Sequence, residues 1–144
     1  MTLDDIMALW SKDCDLDRTE LGEESLKIPQ LHSKYFNIFS KERLLLRKLE
    51  TDQKVLHKQK YEWFNGTMDI DDLTELSWEP NPLKILRTDI GQYIDADQDI
   101  IQLNLKLAYQ KEKVEFLENA IRSLNSRGFN IKSAIDWEKF KVGL

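Results

Sequence analysis

The chain has 144 residues, a length that suits one domain or a modest domain with an oligomerisation tail. Charged residues make up 33% of it and proline occurs only three times, a composition typical of a folded, helix-rich protein. The single cysteine, Cys14, excludes an internal disulfide and a thiolate-rich metal site, and the acidic start and short apolar runs lead us to expect neither a secretory signal nor a membrane span.

The net charge of −5 is unevenly distributed along the chain. Residues 27–60 carry nine basic residues and three acids, which gives this block a charge of +6. Acidic blocks lie on both sides: residues 1–26 have eight acids and two bases (−6), and residues 61–100 have ten acids and two bases (−8). Residues 101–144 carry eight bases and five acids (+3). Binding to a polyanion is therefore compatible with the negative total.

Two helices are predicted in the first 65 residues. Apolar residues at helical spacing predict a helix over Thr2–Trp10, with Thr2 as its N-cap. Asp17–Glu20 has the pattern of a capping box, which predicts the start of a long second helix. Pro29 should kink or restart that helix, because proline removes a hydrogen-bond donor and clashes with the preceding turn. Asn65–Gly66 is the expected stop.

Residues 65–95 are expected to form an acidic, loop-rich connector. Pro80 and Pro82 interrupt regular structure there, and a short helix is predicted only near Leu83–Arg87. The pattern does not decide whether this stretch contains a strand.

The most regular segment of the chain follows the connector. Its residues alternate spacings of three and four, the a/d pattern of a coiled-coil seam: Ile100, Leu103, Leu107, Gln110, Val114, Leu117, Ile121 and Leu124. Only Gln110 is polar. The pattern predicts a coiled-coil-like oligomerisation helix that ends at Gly128, followed by a short tail capped by Ser133. The predicted fold class is all-α, with long helices on both sides of the loop-rich acidic connector.

No catalytic or metal-binding motif is present in the sequence. Alternating aspartates resemble the start of an EF-hand loop: Asp95, Asp97 and Asp99. However, Ile100 occupies the position that requires glycine, and Lys106 occupies that of the bidentate glutamate. We interpret the three acids as favourable charges at the N-terminus of the C-terminal helix. Nucleotide-binding and hydrolase motifs are also missing, so we predict a protein that is not an enzyme and uses no cofactor or metal.

The long helix before Asn65 has two different faces. At about 100° per residue, one sector is apolar and includes Trp63, with Lys60 near its edge. Side chains within about 60° of each other on the opposite side are cationic, apart from one tyrosine: Arg43, Arg47, Lys54, Lys58 and Tyr61. Charged helix faces usually serve solubility. A face of nearly one sign beside interleaved aromatics, which include Phe64, also suits the phosphates and bases of a single nucleic-acid strand.

Two segments resemble the UvsY-type recombination mediator proteins of large tailed phages. Residues 54–66, KVLHKQKYEWFNG, are similar to the family's single-strand-binding stretch, although Lys60 replaces its arginine and His57 replaces its leucine. Residues 126–132, SRGFNIK, are similar to its Ser-Arg-Gly-Phe-x-Ile-Lys segment. A weaker match at Leu3–Asp5 and a similar total length extend the resemblance over essentially the whole chain.

The resemblance implies a recombination mediator that binds single-stranded DNA and hydrolyses no nucleotide. Its expected partners are single-stranded DNA, a RecA-like phage recombinase and the phage single-strand-binding protein. Its expected state is a ring-like homo-oligomer of six or seven subunits in the host cell cytoplasm. The resemblance also implies that Lys58 and Lys60 contact phosphates, and that Tyr61, Trp63 and Phe64 are stacking or structural aromatics. The position of Trp63 on the apolar face favours a place in the core.

These patterns divide the chain at residue 95. Residues 1–95 are predicted to bind single-stranded DNA and partner proteins, and residues 96–144 to form the helical oligomerisation region. The main alternative is a coiled-coil adaptor that joins proteins and does not bind nucleic acid. A double-strand-binding architectural protein is a further alternative, but the chain offers no recognition helix or insertion element for it.

Overall fold

A computed structural model describes all 144 residues of the chain. It contains five α-helices and no strand: α1 (Leu3–Asp13), α2 (Leu21–Asn65), α3 (Ile70–Leu76), α4 (Ile90–Asp95) and α5 (Gln98–Lys141). The prediction of an all-α fold with long helices is confirmed. No helix combines the length and the apolar character that a membrane crossing requires.

The start of α1 is fixed by a reciprocal cap. The amide of Asp5 donates to Thr2 Oγ1 at 3.1 Å, and the amide of Thr2 donates to Asp5 Oδ2 at 3.0 Å. Thr2 is therefore the N-cap that its sequence position predicts. The cap predicted at Asp17 is wrong. Its carboxylate accepts from the amide and the hydroxyl of Thr19 in a local turn, and α2 starts only at Leu21.

The second helix, α2, is continuous over 45 residues. The restart predicted at Pro29 is absent, because Leu31 packs against a core cluster and holds the helix in place beyond the proline. The helix ends as predicted at Asn65–Gly66. Gly66 has a φ of 76°, and the amide of Thr67 donates to the carbonyl of Glu62 at 3.0 Å, which closes the last turn.

The connector contains the two short helices α3 and α4. Neither lies at Leu83–Arg87, where the predicted helix is wrong. The side chain of Asn81 accepts from the amide of Leu83 at 3.1 Å, so a local turn takes the place of a helical start. Ile85 then packs against a core cluster from a non-helical segment.

The last helix, α5, is 44 residues long and continues through Gly128 and Ser133. The helix stop predicted at Gly128 and the cap predicted at Ser133 are therefore wrong. Leu124 (0% exposed) and Ile131 (2% exposed) are buried on either side of the glycine. Burial of two such side chains outweighs the low helix propensity of glycine, which costs about 1 kcal/mol.

The chain forms two compact units. The terminal unit comprises residues 1–44 and 110–144, and the central unit comprises residues 45–109. The core of the terminal unit combines apolar side chains of α1, α2 and α5: Ile6, Tyr35, Leu117, Ala120 and Leu124. The core of the central unit combines the end of α2, α4 and the start of α5: Phe64, Ile90, Ile94 and Ile100. The division predicted at residue 95 falls between α4 and α5 and stays a prediction.

Candidate nucleic-acid interface

The central unit carries positively charged side chains along α2. Arg47, Lys54 and Lys58 form this cationic row, and Tyr61 extends it by one turn. All four residues are exposed and lie within about 60° of each other around the helix. The ion pair in the row joins Lys58 Nζ to Glu62 Oε1 at 3.8 Å. Because the Lys58 side chain is 80% exposed, this pair neutralises little charge, and the row is available to a polyanion.

Arg43, the remaining cation of the predicted face, lies in the terminal unit. Its guanidinium carbon is 5.0 Å from the ring centroid of Phe39. Its Nε atom is buried and has no hydrogen-bond partner. The guanidinium is thus held by an aromatic ring while its charge stays without a carboxylate.

Lys60 points into the central unit, where it is only 7% exposed. Its Nζ atom lies 2.8 Å from Asp99 Oδ2 and 3.2 Å from Asp97 Oδ1. The same ammonium group is 4.2 Å from the ring centroid of Trp78 and 5.9 Å from that of Trp63. Two carboxylates and two indole rings surround the charge, so Lys60 joins the end of α2 to the start of α5. Its role as a phosphate contact stays a prediction.

Trp63 and Phe64 face the interior of the central unit. Phe64 is 9% exposed and belongs to the core, and Trp63 packs against that core. The indole N–H of Trp63 donates to the carbonyl of Glu79 at 2.6 Å, and Asn81 Nδ2 donates to the carbonyl of Phe64 at 3.2 Å. The indole of Trp63 and the backbone carbonyl of Phe64 therefore fasten the connector to the end of α2. Tyr61, which is 36% exposed, is the aromatic of this segment that faces solvent.

A groove of about 350 Å³ lies between α2 and α3 beside Lys58. Three of its lining residues are acidic: Glu62, Asp72 and Glu75. These acids place Lys58 at the border between the cationic row and an acidic surface. The negative charge of the groove would repel a phosphate chain.

The predicted seam of α5 is used within the chain itself. Five of its apolar residues are buried: Ile100, Leu107, Val114, Leu117 and Leu124. Two others, Leu103 and Ile121, are half-buried. The buried side chains belong to the chain's own interior, and the role of the seam in oligomerisation stays a prediction. Large apolar side chains of α5 that remain exposed are Leu105, Tyr109, Phe129, Trp137 and Phe140.

Gln110, the polar residue of the seam, belongs to a buried network in the terminal unit. Its Nε2 atom donates to the carbonyl of Glu42 at 2.8 Å and to Glu42 Oε2 at 2.6 Å. Lys113 Nζ lies 3.1 Å from the same carboxylate oxygen and donates to the carbonyl of Met1 at 2.9 Å. Although burial opposes ionisation, these donors hold the pKa of the Glu42 carboxyl below its usual value. The network fixes the register between α2 and α5.

The segment 126–132, one of the two that resemble the family, has a structural role in the terminal unit. Arg127 is 4% exposed, and its Nη2 atom donates to the carbonyl of Asp13 at 3.0 Å, at the C-terminus of α1. The side chain of Asp13 accepts from Tyr35 Oη at 2.8 Å and from Lys34 Nζ at 2.6 Å. Burial opposes ionisation of Asp13, but these donors lower its pKa. They fasten α1 to α2 and α5.

Sequence reasoning misses the residues that surround Lys60: Trp78, Asp97 and Asp99. The capping role of Asp97 could have been predicted from nearby residues. Its Oδ2 atom accepts from the amides of Asp99 at 3.0 Å and Ile100 at 3.2 Å and so caps α5. Their pairing with a lysine up to 39 residues earlier in the chain leaves no local pattern. The acids do not converge on a metal site.

Residues 9–144 match the family described as "Recombination, repair and ssDNA binding protein UvsY". The chain belongs to the UvsY family. A UvsY relative, the recombination protein uvsY of Enterobacteria phage T4, is 27% identical over 143 residues, which cover 99% of each chain.

Crystal structures of the bacteriophage T4 recombination mediator protein UvsY have a similar fold. The lattice type II structure superposes with a TM-score of 0.86 at 26% identity, covering 99% of this chain and 98% of that chain. The lattice type IV structure gives a TM-score of 0.84 at 26% identity, covering 97% and 99%. Membership of the UvsY family confirms the prediction of a non-enzymatic recombination and repair protein that binds single-stranded DNA.

Proposed function

We propose that this chain is a recombination mediator that binds single-stranded DNA as a homo-oligomer. It promotes the loading of a RecA-like recombinase onto strands covered by a phage single-strand-binding protein. The observation that carries the proposal is the cationic row of Arg47, Lys54 and Lys58. These exposed charges are almost unneutralised, on a chain of a single-strand-binding family.

The cationic row binds the sugar–phosphate backbone, and Tyr61 offers a flat ring to a base at the end of the row. Three charges and one ring give a weak site on a single chain. Linking several copies raises the effective concentration of neighbouring sites, so the oligomer holds a strand that one chain releases. Each contact remains weak, which lets a recombinase take over the strand piece by piece.

Self-assembly is assigned to residues 96–144, and DNA and partner binding to residues 1–95. Within α5, the exposed apolar side chains of its second half are the proposed contacts: Phe129 (74% exposed), Trp137 (57%) and Phe140 (70%). The rings of Trp137 and Phe140 are stacked, with centroids 5.5 Å apart, and so present one apolar surface. A ring of six or seven copies is the proposed assembly.

The test is a titration of labelled single-stranded and double-stranded oligonucleotides, followed by fluorescence anisotropy at several salt concentrations. The wild-type protein should bind the single strand more tightly, with an affinity that falls steeply with salt. Lys54→Ala combined with Lys58→Ala should weaken binding and reduce the salt slope by about 1.4, since each phosphate contact on a single strand contributes about 0.7.

The matched control is Lys48→Ala combined with Lys106→Ala. Both lysines are exposed residues of the central unit and lie off the cationic row, so the same loss of charge should leave the salt slope nearly unchanged. If both double variants lost affinity and salt slope equally, binding would depend on the overall charge of the chain, and the cationic row would not be the site. No binding of either DNA by the wild-type chain at low salt would favour the adaptor function instead.

A further inference from the structure

An aromatic ladder runs along the part of α2 that belongs to the terminal unit. It consists of His32, Phe36 and Phe39, with Arg43 at its end, and helical spacing places all four on one face. The rings of His32 and Phe36 are stacked, with centroids 5.9 Å apart and an angle of 12° between their planes. Phe36 and Phe39 have centroids 6.0 Å apart, and the guanidinium of Arg43 covers Phe39 at 5.0 Å.

The middle ring of the ladder is open to solvent. Phe36 is 45% exposed and is not part of the core of the terminal unit, whereas Phe39 packs against that core. The ladder therefore holds an exposed ring in a fixed orientation between an anchored ring and a histidine. Such a ring can receive a second flat group by stacking.

The cations near the ladder differ in whether a carboxylate neutralises them. Residues 25–41 contain three lysines and no acidic residue. Lys27 and Lys34 are paired with carboxylates, but Arg43 is held by a ring and keeps its charge. A flat exposed ring and an unneutralised guanidinium on the same helix face match the two parts of a nucleotide in a single strand, an unstacked base and a phosphate.

We propose that the ladder is a second contact surface for single-stranded DNA, in which Phe36 stacks on a base and Arg43 contacts a phosphate. The inference rests on the proposed function and adds a base-stacking site in the terminal unit. It differs from the cationic row in one measurable respect. Stacking on Phe36 depends on the bases of the strand, whereas the three cations of the row contact phosphates.

The test compares an oligothymidylate with an abasic oligonucleotide of the same length, using the full chain. Phe36→Leu should weaken binding of the oligothymidylate by about tenfold, the loss typical of one base–aromatic stack, and leave binding of the abasic strand unchanged. Phe36→Trp should keep both affinities. Leu44→Ala is the control, because Leu44 is a comparably exposed apolar residue of α2 (63% exposed) that lies off the ladder.

A second measurement needs no variant. Photochemical cross-linking of the wild-type protein to a strand that contains 5-iodouracil, followed by peptide mapping, should label His32 or Phe36. The ladder would be overturned as a DNA site if Phe36→Leu lowered the affinity for both strands equally or for neither. Cross-links found only at other residues would overturn it as well. A changed oligomer mass in Phe36→Leu would assign the ladder to contact between copies. The two proposals can fail separately. If Lys54→Ala combined with Lys58→Ala weakens binding of oligothymidylate while the Phe36 variants bind it like the wild type, the ladder inference fails and the proposed function stands.

Discussion

The Nζ atom of Lys60 lies 2.8 Å from Oδ2 of Asp99, across 39 residues of sequence. This contact distinguishes Lys60 from Lys58, which is only two positions away and 80% exposed. We therefore propose that the buried ammonium serves mainly fold stability and that the exposed one belongs to the DNA surface.

Replacement of the two lysines should therefore have opposite consequences. Lys60→Met should lower the free energy of unfolding by about 2 kcal/mol, because it leaves Asp97 and Asp99 without their buried counter-charge, in a site that is only partly shielded from water. The salt slope of DNA binding by the folded variant should not change. Lys58→Ala should reduce that slope by about 0.7 and leave stability unaltered. Urea unfolding and anisotropy titrations measure the two quantities, and a reduced slope in Lys60→Met would make Lys60 a phosphate contact.

The buried network around Glu42 should make stability depend on pH. The pKa of Glu42 is lower in the folded chain than its ordinary value of 4.5, so its contribution is present above that pH and is lost as pH falls through the folded pKa. Glu42→Gln should be less stable than wild type by about 2 kcal/mol at pH 7, the usual worth of hydrogen bonds to a charged group. The difference should shrink as the pH is lowered below that value.

The control for this pH dependence is Glu118→Gln. Its carboxylate is 56% exposed and lies 3.9 Å from Arg122, so its loss should change stability little at any pH. Urea unfolding curves of the three proteins at neutral and acidic pH make the comparison. A constant difference between wild type and Glu42→Gln would show that the pairing of Glu42 does not favour its ionised form.

Replacement of two glycines by alanine should have opposite effects on the stability of the chain. Gly66 has a φ of 76°, which strains any side chain, so Gly66→Ala should destabilise the chain by about 1 kcal/mol. Gly128 lies inside α5, and a Cβ there would meet Ile28 Cδ1 at an ordinary 3.8 Å. Gly128→Ala should therefore stabilise the chain by about 0.5–1 kcal/mol. Thermal unfolding monitored by circular dichroism distinguishes the two, and destabilisation by both would show that the terminal unit has no room at position 128.

Assembly should depend on the exposed side chains of α5. Trp137→Ser combined with Phe140→Ser should lower the oligomer mass and leave the unfolding transition of the chain in place, because both rings lie outside the cores. Leu117→Ala should instead lower the free energy of unfolding by about 3 kcal/mol, since Leu117 is fully buried, and should leave the oligomer mass of the folded chain unchanged. Sedimentation velocity and urea unfolding separate the effects. An unchanged mass in the serine variant would move the contact between copies to another surface.

Helix starts and stops that depend on neighbouring residues can be predicted from the sequence. Thr2 and Gly66 are such cases, because the atoms that decide each end lie within a few positions. Gly128 is not, since burial of Leu124 and Ile131 in a core formed from distant parts of the chain overrides local propensity.

The same distinction applies to the site. Helical spacing alone brings Lys54 and Lys58 to one face of α2, and the structure keeps both exposed. The burial of Lys60 follows from acids far along the chain and from Trp78 in the connector, which no period in the sequence relates to α2.

Asp97 serves two groups at once, since one oxygen caps α5 and the other is paired with Lys60. Its replacement during evolution is therefore restricted by two independent requirements. Serine or asparagine would satisfy the helix end, but only an acid also satisfies a lysine or arginine at position 60. Among relatives, positions 60 and 97 should consequently covary: a cation at the first keeps the second acidic, and a neutral residue at the first allows any good capping residue at the second.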